Sequence, residues 1–140
     1  MRICLDTGVL MRGVEGNSQV RAAVVLIVRQ AESSSPTLIV ASQLARAECL
    51  IMPVRENNLA RYQEFLNFFS NSGIEMVGVT PEVIALAINL RAHKRLKLID
   101  AIQVATAQVT NCEVLFTTDG GIADRSPYGG LRVEIFPRDL

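Results

Sequence analysis

Four acidic residues occupy positions from which their carboxylates can act together: Asp6, Glu48, Asp100 and Asp119. Glu48 lies on an apolar helical stripe, and Asp100 precedes one of the most apolar segments of the chain. Carboxylates directed into apolar surroundings require a paired charge or a metal ion. Two like charges ~4 Å apart repel by about 4 kcal/mol at an effective dielectric near ~20, so four such groups stay ionised together only beside cations. Acidic oxygens without histidine or cysteine favour Mg²⁺ or Mn²⁺ over zinc.

Each acid also has an explanation that needs no metal. Asp100 alone is a candidate helix cap, and Asp119 stands before two glycines, as a turn residue would. Glu48 could be a partly exposed helix residue, and Asp6 could simply end a strand. The four settings taken together favour a shared site.

The elements that must position these residues alternate along the chain. Five apolar segments are predicted to be strands, over residues 2–5, 38–41, 74–79, 114–118 and 133–136. Helices are predicted over residues 20–31, 43–52 after a Ser42 cap, 57–71, 81–95 after a Thr80 cap, and 100–111. This alternation predicts a three-layer α/β/α fold around a central, mostly parallel sheet. With no internal repeat or linker, we expect one domain over residues 1–140.

Two of the predicted helices have informative patterns. Residues 20–31 are apolar on nearly every side, which predicts a helix buried on two faces and ended by Ser33-Ser34-Ser35-Pro36. In the helix over residues 57–71, apolar side chains recur at steps of three and four, which predicts a core-facing stripe rather than a base-stacking platform. The stripe consists of Leu59, Tyr62, Leu66 and Phe69.

The topology predicts that the four acids converge. In a parallel α/β sheet the ligand crevice lies beyond the carboxyl ends of the strands. Asp6 and Asp119 end strands, and Asp100 begins a helix that starts at the same edge. Glu48 follows its helix cap by six residues, roughly 9 Å at ~1.5 Å per residue, and can still reach inward.

Composition narrows the class of protein without giving a function. The 140 residues are 49% hydrophobic, and the 14 basic and 14 acidic side chains balance, so nucleic-acid binding has to be argued from a site. Cys4, Cys49 and Cys112 are expected to be buried free thiols in a reducing cytosol. Neither a signal peptide nor a membrane span is visible, and we expect a soluble, cytoplasmic protein.

Four motifs, in this order, resemble those of PIN-domain ribonucleases. They are Asp6-Thr7-Gly8-Val9-Leu10, Ala47-Glu48-Cys49-Leu50, Asp100-Ala101-Ile102-Gln103-Val104-Ala105-Thr106-Ala107 and Thr117-Thr118-Asp119. The likeness covers nearly the whole chain, and the order, spacing and length resemble the toxins of VapBC-type toxin–antitoxin pairs.

The resemblance implies an endoribonuclease that hydrolyses RNA phosphodiester bonds with Mg²⁺ or Mn²⁺. Asp6, Asp100 and Asp119 are expected to hold the metal, which polarises the scissile phosphate and generates hydroxide from bound water. Glu48 is expected to complete the shell or orient that water. Thr7 and Thr117 resemble hydroxyl groups that orient carboxylates.

This chain departs from the family pattern at one position. The family usually has Asn or Ser two residues after the first Asp, where this chain has Gly8. Some members also carry a further acid after the last motif, and Asp124 is a candidate for it.

One basic cluster precedes Asp100: Arg91, Lys94, Arg95 and Lys97, with His93 among them. It either guides RNA phosphates toward the metal or is a solvated helix end whose cations favour the helix dipole. The resemblance also implies two protein partners, a second copy in a homodimer and an antitoxin. The helices over residues 20–31 and 57–71 carry the apolar surface that such partners would cover.

Three rival classes remain. A receiver domain would require an acidic pair after the first strand, and a haloacid-dehalogenase-like phosphatase would require a second Asp where Gly8 stands. The third is a PIN-like module that binds RNA or protein without catalysis, and the four intact acids count against it.

Overall fold

The computed structural model describes residues 1–33 and 38–136. Its strands are β1 (Arg2–Leu5), β2 (Leu38–Ser42), β3 (Glu75–Val77), β4 (Val114–Thr117) and β5 (Arg132–Ile135). Its helices are α1 (Thr7–Glu15), α2 (Ser18–Ser33), α3 (Gln43–Arg55), α4 (Leu59–Asn71), α5 (Pro81–Lys94), α6 (Leu98–Val109) and α7 (Gly120–Asp124). No helix within these residues is both long and apolar enough to cross a membrane.

The five strands form one sheet in the order β3-β2-β1-β4-β5, and the paired strands are parallel. β1 lies in the middle, where Cys4 is in register with Val40 of β2 and Leu115 of β4. Parallel pairing puts the carboxyl ends of β1, β2 and β4 at one edge. The predicted α/β fold with a parallel central sheet is confirmed.

Helices cover both faces of the sheet because the strand side chains alternate between two cores. Ile3 and Leu5 of β1 face one cluster, which also contains Val9 of α1 and Phe65 of α4. Cys4 faces the other cluster, formed largely by side chains of α5 and α6. The predicted burial of the free cysteines is confirmed at all three positions.

Two helices were missing from the sequence-based prediction, and both follow a predicted site residue. α1 begins directly after Asp6, and the five-residue α7 begins directly after Asp119. Both aspartates are N-caps: Asp6 Oδ1 accepts from the Val9 N–H, and Asp119 Oδ1 accepts from the Gly121 N–H. α1 escaped prediction because three glycines between residues 8 and 16 weaken its helical signal.

Several predicted boundaries were wrong. α3 does not stop at Met52 but runs through Pro53 to Arg55, which is tolerated because proline in the last turn removes only one helical hydrogen bond. α6 begins at Leu98 with Lys97 as its N-cap, so Asp100 lies in the first turn and is not the cap. The Ser42 and Thr80 caps are confirmed.

Two burial predictions also need correction. In α2, Val20 and Val24 are buried while Val25 and Leu26 are exposed, so up to residue 27 the helix buries one face rather than two. α2 ends at Ser33, and the remainder of the predicted break, residues 34–36, lies outside the described residues.

In α4, the core-facing residues are Phe65 and Phe69, whereas Leu59 at the start of the predicted stripe is 81% exposed. Leu59 is the first residue of the helix, next to the Asn58 cap. This end of α4 therefore stands away from the core.

We predict that Phe65→Ala lowers the free energy of unfolding by about 3–5 kcal/mol, because Phe65 is fully buried and its removal leaves a cavity. The matched change Leu59→Ala on the same helix should shift it by no more than about 0.5 kcal/mol. Urea unfolding followed by circular dichroism measures both. Equal losses from the two variants would contradict the burial pattern of α4.

Candidate active site

The four predicted acids line one cavity at the carboxyl edge of the sheet. This cavity has a volume of about 140 Å³, and its walls are Asp6, Thr7, Gly8, Glu48, Ile99, Asp100, Gln103, Thr118 and Asp119. Asp6 follows β1, Asp119 follows β4, Glu48 comes from α3 and Asp100 from the first turn of α6. The predicted convergence of Asp6, Glu48, Asp100 and Asp119 is therefore present in the fold.

Asp6 is the most buried of the four carboxylates, and both of its oxygens have protein partners. Thr117 donates its hydroxyl proton to Asp6 Oδ2, and the Val9 N–H donates to Oδ1 over 3.1 Å. Burial raises the pKa of Asp6, while the bonds from Thr117, Val9 and the Thr118 backbone lower it and so stabilise the ionised form. These three donors use three of the roughly four lone-pair sites of the carboxylate, which leaves one for another partner.

Thr117 joins two of the acids through one hydroxyl group. While its proton goes to Asp6, its oxygen accepts the Asp119 N–H over 2.9 Å. Because both ends of the hydroxyl are in use, Thr117 sets the position of Asp119 relative to Asp6. The predicted orienting role of Thr117 agrees with these contacts.

Asp100 and Asp119 lie close enough to share a hydrogen bond. Burial, together with the negative charge of Asp119 and this bond, raises the pKa of Asp100 to about 6, whereas the nearby Lys97 lowers it. Asp6 adds to the rise. The carboxylates therefore repel one another, and a bound cation would relieve this repulsion.

Glu48 is held by a side chain from another element. Thr7 Oγ1 donates to Glu48 Oε1 over 2.6 Å, and Gln103 Nε2 donates to Thr7 Oγ1 over 3.1 Å. These bonds connect α3, α1 and α6 through three residues that line the cavity. Thr7 thus orients a carboxylate, as the sequence predicted, but the carboxylate is that of Glu48.

The residues present fit a hard divalent cation. Their donors are carboxylate, hydroxyl and amide oxygens, which suit Mg²⁺ or Mn²⁺. Among residues 1–33 and 38–136, no three carboxylate, imidazole or thiol groups already converge as a formed metal site. Hydrogen bonds from Thr117, Val9 and Thr7 engage oxygens of Asp6 and Glu48.

A steric contact explains why glycine occupies position 8, where this chain departs from the family pattern. A Cβ atom at Gly8 would lie 1.9 Å from the Thr118 hydroxyl oxygen and 3.0 Å from the Thr118 Cβ. The side chain of Thr118 therefore fills the space that a larger residue at position 8 would need. Thr118 also lines the cavity.

Asp124 and most of the basic cluster are not brought into the cavity. Asp124 is exposed at the end of α7, and it is absent from the cavity walls. Arg91 donates to the Leu96 carbonyl over 2.8 Å, and the Lys94 ammonium lies 5.9 Å from the Tyr128 ring centre. Lys97 is the member whose charge reaches Asp100.

Three cavity residues were not singled out by the sequence: Gln103, Thr118 and Ile99. Gln103 carried a signal, since it is a polar residue on the buried side of a very apolar helix. Cavity volume alone would not have identified this site. A larger cavity of about 570 Å³ lies around Gln108, Cys112 and Arg132, away from the four acids.

Comparison with known proteins places the chain in a family. The PIN domain model matches residues 3–126, so this chain belongs to the PIN domain family. A sequence comparison with curated proteins finds no match.

Solved structures share the fold at low sequence identity. VapBC2 from Rickettsia felis, bound to a promoter DNA fragment, is 15% identical, with a TM-score of 0.74 over 98% of this chain and 100% of that one. A toxin–antitoxin complex from Klebsiella pneumoniae is 22% identical, with a TM-score of 0.66 over 92% and 94%. Mycobacterium tuberculosis VapC20, described as a sarcin–ricin loop cleaving toxin, is 14% identical, with a TM-score of 0.65 over 87% and 93%.

We predict that Gly8→Ala destabilises the fold by about 1–3 kcal/mol, because the new methyl group overlaps Thr118. Alanine normally stabilises a helix relative to glycine by ~1 kcal/mol, so the expected sign is reversed. The control is Gly120→Ala, also at a helix position. A Cβ added at Gly120 would have no atom within 4 Å apart from its chain neighbours and its own helix backbone, so the change should be neutral or stabilising. Thermal unfolding of both variants provides the measurement.

A double-mutant cycle isolates the cause. In a Thr118→Ala background, Gly8→Ala should lose most of its cost because the overlapping hydroxyl is gone. An undiminished cost in that background would show that Thr118 is not the reason for Gly8.

Proposed function

We propose that this chain is a divalent-metal-dependent endoribonuclease that hydrolyses RNA phosphodiester bonds at the cavity formed by Asp6, Glu48, Asp100 and Asp119. The observation that carries the proposal is the meeting of four carboxylates from four elements in one cavity of about 140 Å³. Membership of the PIN family and similarity to a toxin described as cleaving the sarcin–ricin loop support RNA as the substrate.

In this proposal, Asp6, Asp100 and Asp119 hold Mg²⁺ or Mn²⁺. When bound, the cation would polarise the scissile phosphate and lower the pKa of a coordinated water. Thr117 links the carboxylate of Asp6 to the backbone of Asp119, which supports the relative position of these two ligands. The N-termini of α1, α6 and α7 meet at the cavity, and their positive dipole ends favour the ionised carboxylates.

Glu48 has a role distinct from that of the three aspartates. Its Oε1 accepts a hydrogen bond from Thr7, which leaves Oε2 to complete the shell of the cation or to orient the attacking water. Lys97, beside Asp100, supplies a positive charge for an RNA phosphate at the same edge. Three free and buried cysteines suit a reducing compartment, and we place the activity in the cytoplasm.

We expect purified protein with Mn²⁺ to cleave RNA, and Asp6→Asn or Asp100→Asn to reduce the rate about 100-fold or more. Loss of a ligand removes several kcal/mol of charge stabilisation, and each ~1.4 kcal/mol corresponds to a tenfold change in rate. Gel analysis of a mixed RNA pool measures cleavage, with a chelator and Mn²⁺ re-addition in parallel.

Asp124→Asn is the matched control, because it removes a carboxylate that lies near the last motif but outside the cavity. It should cleave at the wild-type rate. Cleavage that persists in chelator and in both active-site variants would refute the metal mechanism. Wild-type protein that binds RNA but cuts none of the pool would favour the alternative, a catalytically inactive PIN-like module that binds RNA or protein.

We further propose that the chain is the toxin of a toxin–antitoxin pair and forms a homodimer. Similarity to a toxin–antitoxin complex supports the antitoxin partner. The exposed apolar side chains of α2, α3 and α4 provide surface for it: Val25, Leu26, Ile51, Met52, Val54 and Leu59. Around Ile51 and Val54 these side chains border an apolar groove that reaches Tyr62.

Purification of the tagged chain from its native host should recover a second protein, the antitoxin, whose identity mass spectrometry establishes. Val54→Lys should reduce its recovery by placing a charge in the apolar groove, while RNA cleavage by the purified variant stays unchanged. Recovery of the homodimer alone would count against an antitoxin partner.

A further inference from the structure

Gln103 is a buried polar residue in an otherwise apolar part of α6. Residues 101–107 are all buried, and Gln103 is only 2% exposed. The other polar side chain in this run, Thr106, satisfies its hydroxyl within the helix by donating to the Ile102 carbonyl over 2.8 Å. Gln103 has no such local partner, so its amide has to be explained by contacts with another element.

The amide of Gln103 is the first member of a directed pair of hydrogen bonds. Its Nε2 donates to Thr7 Oγ1 over 3.1 Å, and Thr7 Oγ1 donates to Glu48 Oε1 over 2.6 Å. A threonine hydroxyl has one proton, and an ionised carboxylate can only accept. Since Thr7 gives its proton to Glu48, Gln103 must approach Thr7 with its NH₂ group, which sets the orientation of the amide.

This orientation leaves the carbonyl oxygen of the amide, Oε1, without a bond to Thr7. Gln103 Oε1 is shielded from solvent and has no hydrogen-bond partner among the described protein groups. Gln103 is also one of the walls of the cavity that the four acids share.

We propose that Gln103 is a positioning residue of the active site, holding Glu48 in place through Thr7. The inference rests on the proposed metal-dependent function, since it assigns the device that orients one carboxylate of that site. Glu48 projects from α3 on a flexible side chain and needs an external contact to keep one rotamer. Gln103 gives the Thr7 oxygen a donor, so the Thr7 proton stays directed at Glu48.

The test uses Gln103→Met, which keeps the length of the side chain and removes its hydrogen-bonding groups. We expect Mn²⁺ affinity, measured by isothermal titration calorimetry, and kcat for RNA cleavage each to fall about 10- to 100-fold, the usual effect of losing a group that orients a metal ligand. KM should change little, because Gln103 is only 2% exposed and offers RNA almost no surface to contact.

Gln108→Met is the matched control on the same helix. Gln108 also donates through Nε2, to the Tyr128 carbonyl over 3.0 Å, and its Oε1 is likewise without a described partner. It lines the separate cavity of about 570 Å³, so its loss should affect thermal stability without changing Mn²⁺ affinity or kcat. A Gln103→Met variant that matches Gln108→Met in all three measurements overturns the proposal.

A double-mutant cycle with Thr7→Val separates positioning from general destabilisation. If Gln103 acts through Thr7, adding Gln103→Met to Thr7→Val should cause little further loss of Mn²⁺ affinity or kcat. Thr7→Ser, which keeps the hydroxyl group, should restore both toward wild type. Fully additive losses, or no rescue by serine, would also overturn it.

The outcomes separate this inference from the proposed function. Wild-type protein that binds Mn²⁺ and cleaves RNA, together with an unaffected Gln103→Met variant, refutes only the role of Gln103. Wild-type protein that neither binds Mn²⁺ nor cleaves RNA refutes the metal-dependent function, and the inference that depends on it falls as well.

Discussion

The structure depends on the convergence of like charges at one edge of a parallel sheet. Asp6, Asp100 and Asp119 approach one another at the cavity, and the pKa of Asp100 is raised to about 6 by its burial and, after that, by the negative charges of Asp119 and Asp6. The fold offsets this repulsion with helix N-termini, because Asp6 and Asp119 cap α1 and α7 and Asp100 lies in the first turn of α6. Local structure and the proposed chemistry therefore use the same residues.

Hydrogen bonds from hydroxyl and amide groups around the cavity hold Asp6, Asp119 and Glu48 in position. Thr117 joins Asp6 to Asp119, while Gln103 and Thr7 reach Glu48 from the opposite side. Such supporting bonds are worth more in a buried setting than on the surface, since an unmade bond there leaves a desolvated polar group. Three of the four acids, Asp6, Asp119 and Glu48, are thus held by hydrogen bonds from neighbouring side chains.

Gly8, where the family usually has Asn or Ser, shows that the residue allowed at one position of the site depends on the side chain at another. The side chain of Thr118 fills the space next to Gly8, and both residues line the cavity. In the first motif taken alone, Gly8 lacks the polar side chain that the family usually has at this position. The three-dimensional contact shows instead that two residues, 110 positions apart, share one space.

The sequence by itself determined the α/β fold, the parallel sheet, and the edge at which Asp6, Glu48, Asp100 and Asp119 meet. These follow from apolar periodicity and from the order of strands and helices, which are encoded locally. The tertiary structure alone decided that α1 and α7 exist as capped helices, that Phe65 rather than Leu59 faces the core, and that Asp124 stays outside the cavity. It also supplied Gln103, because contacts between residues 96 positions apart depend on packing between elements, which no local pattern records.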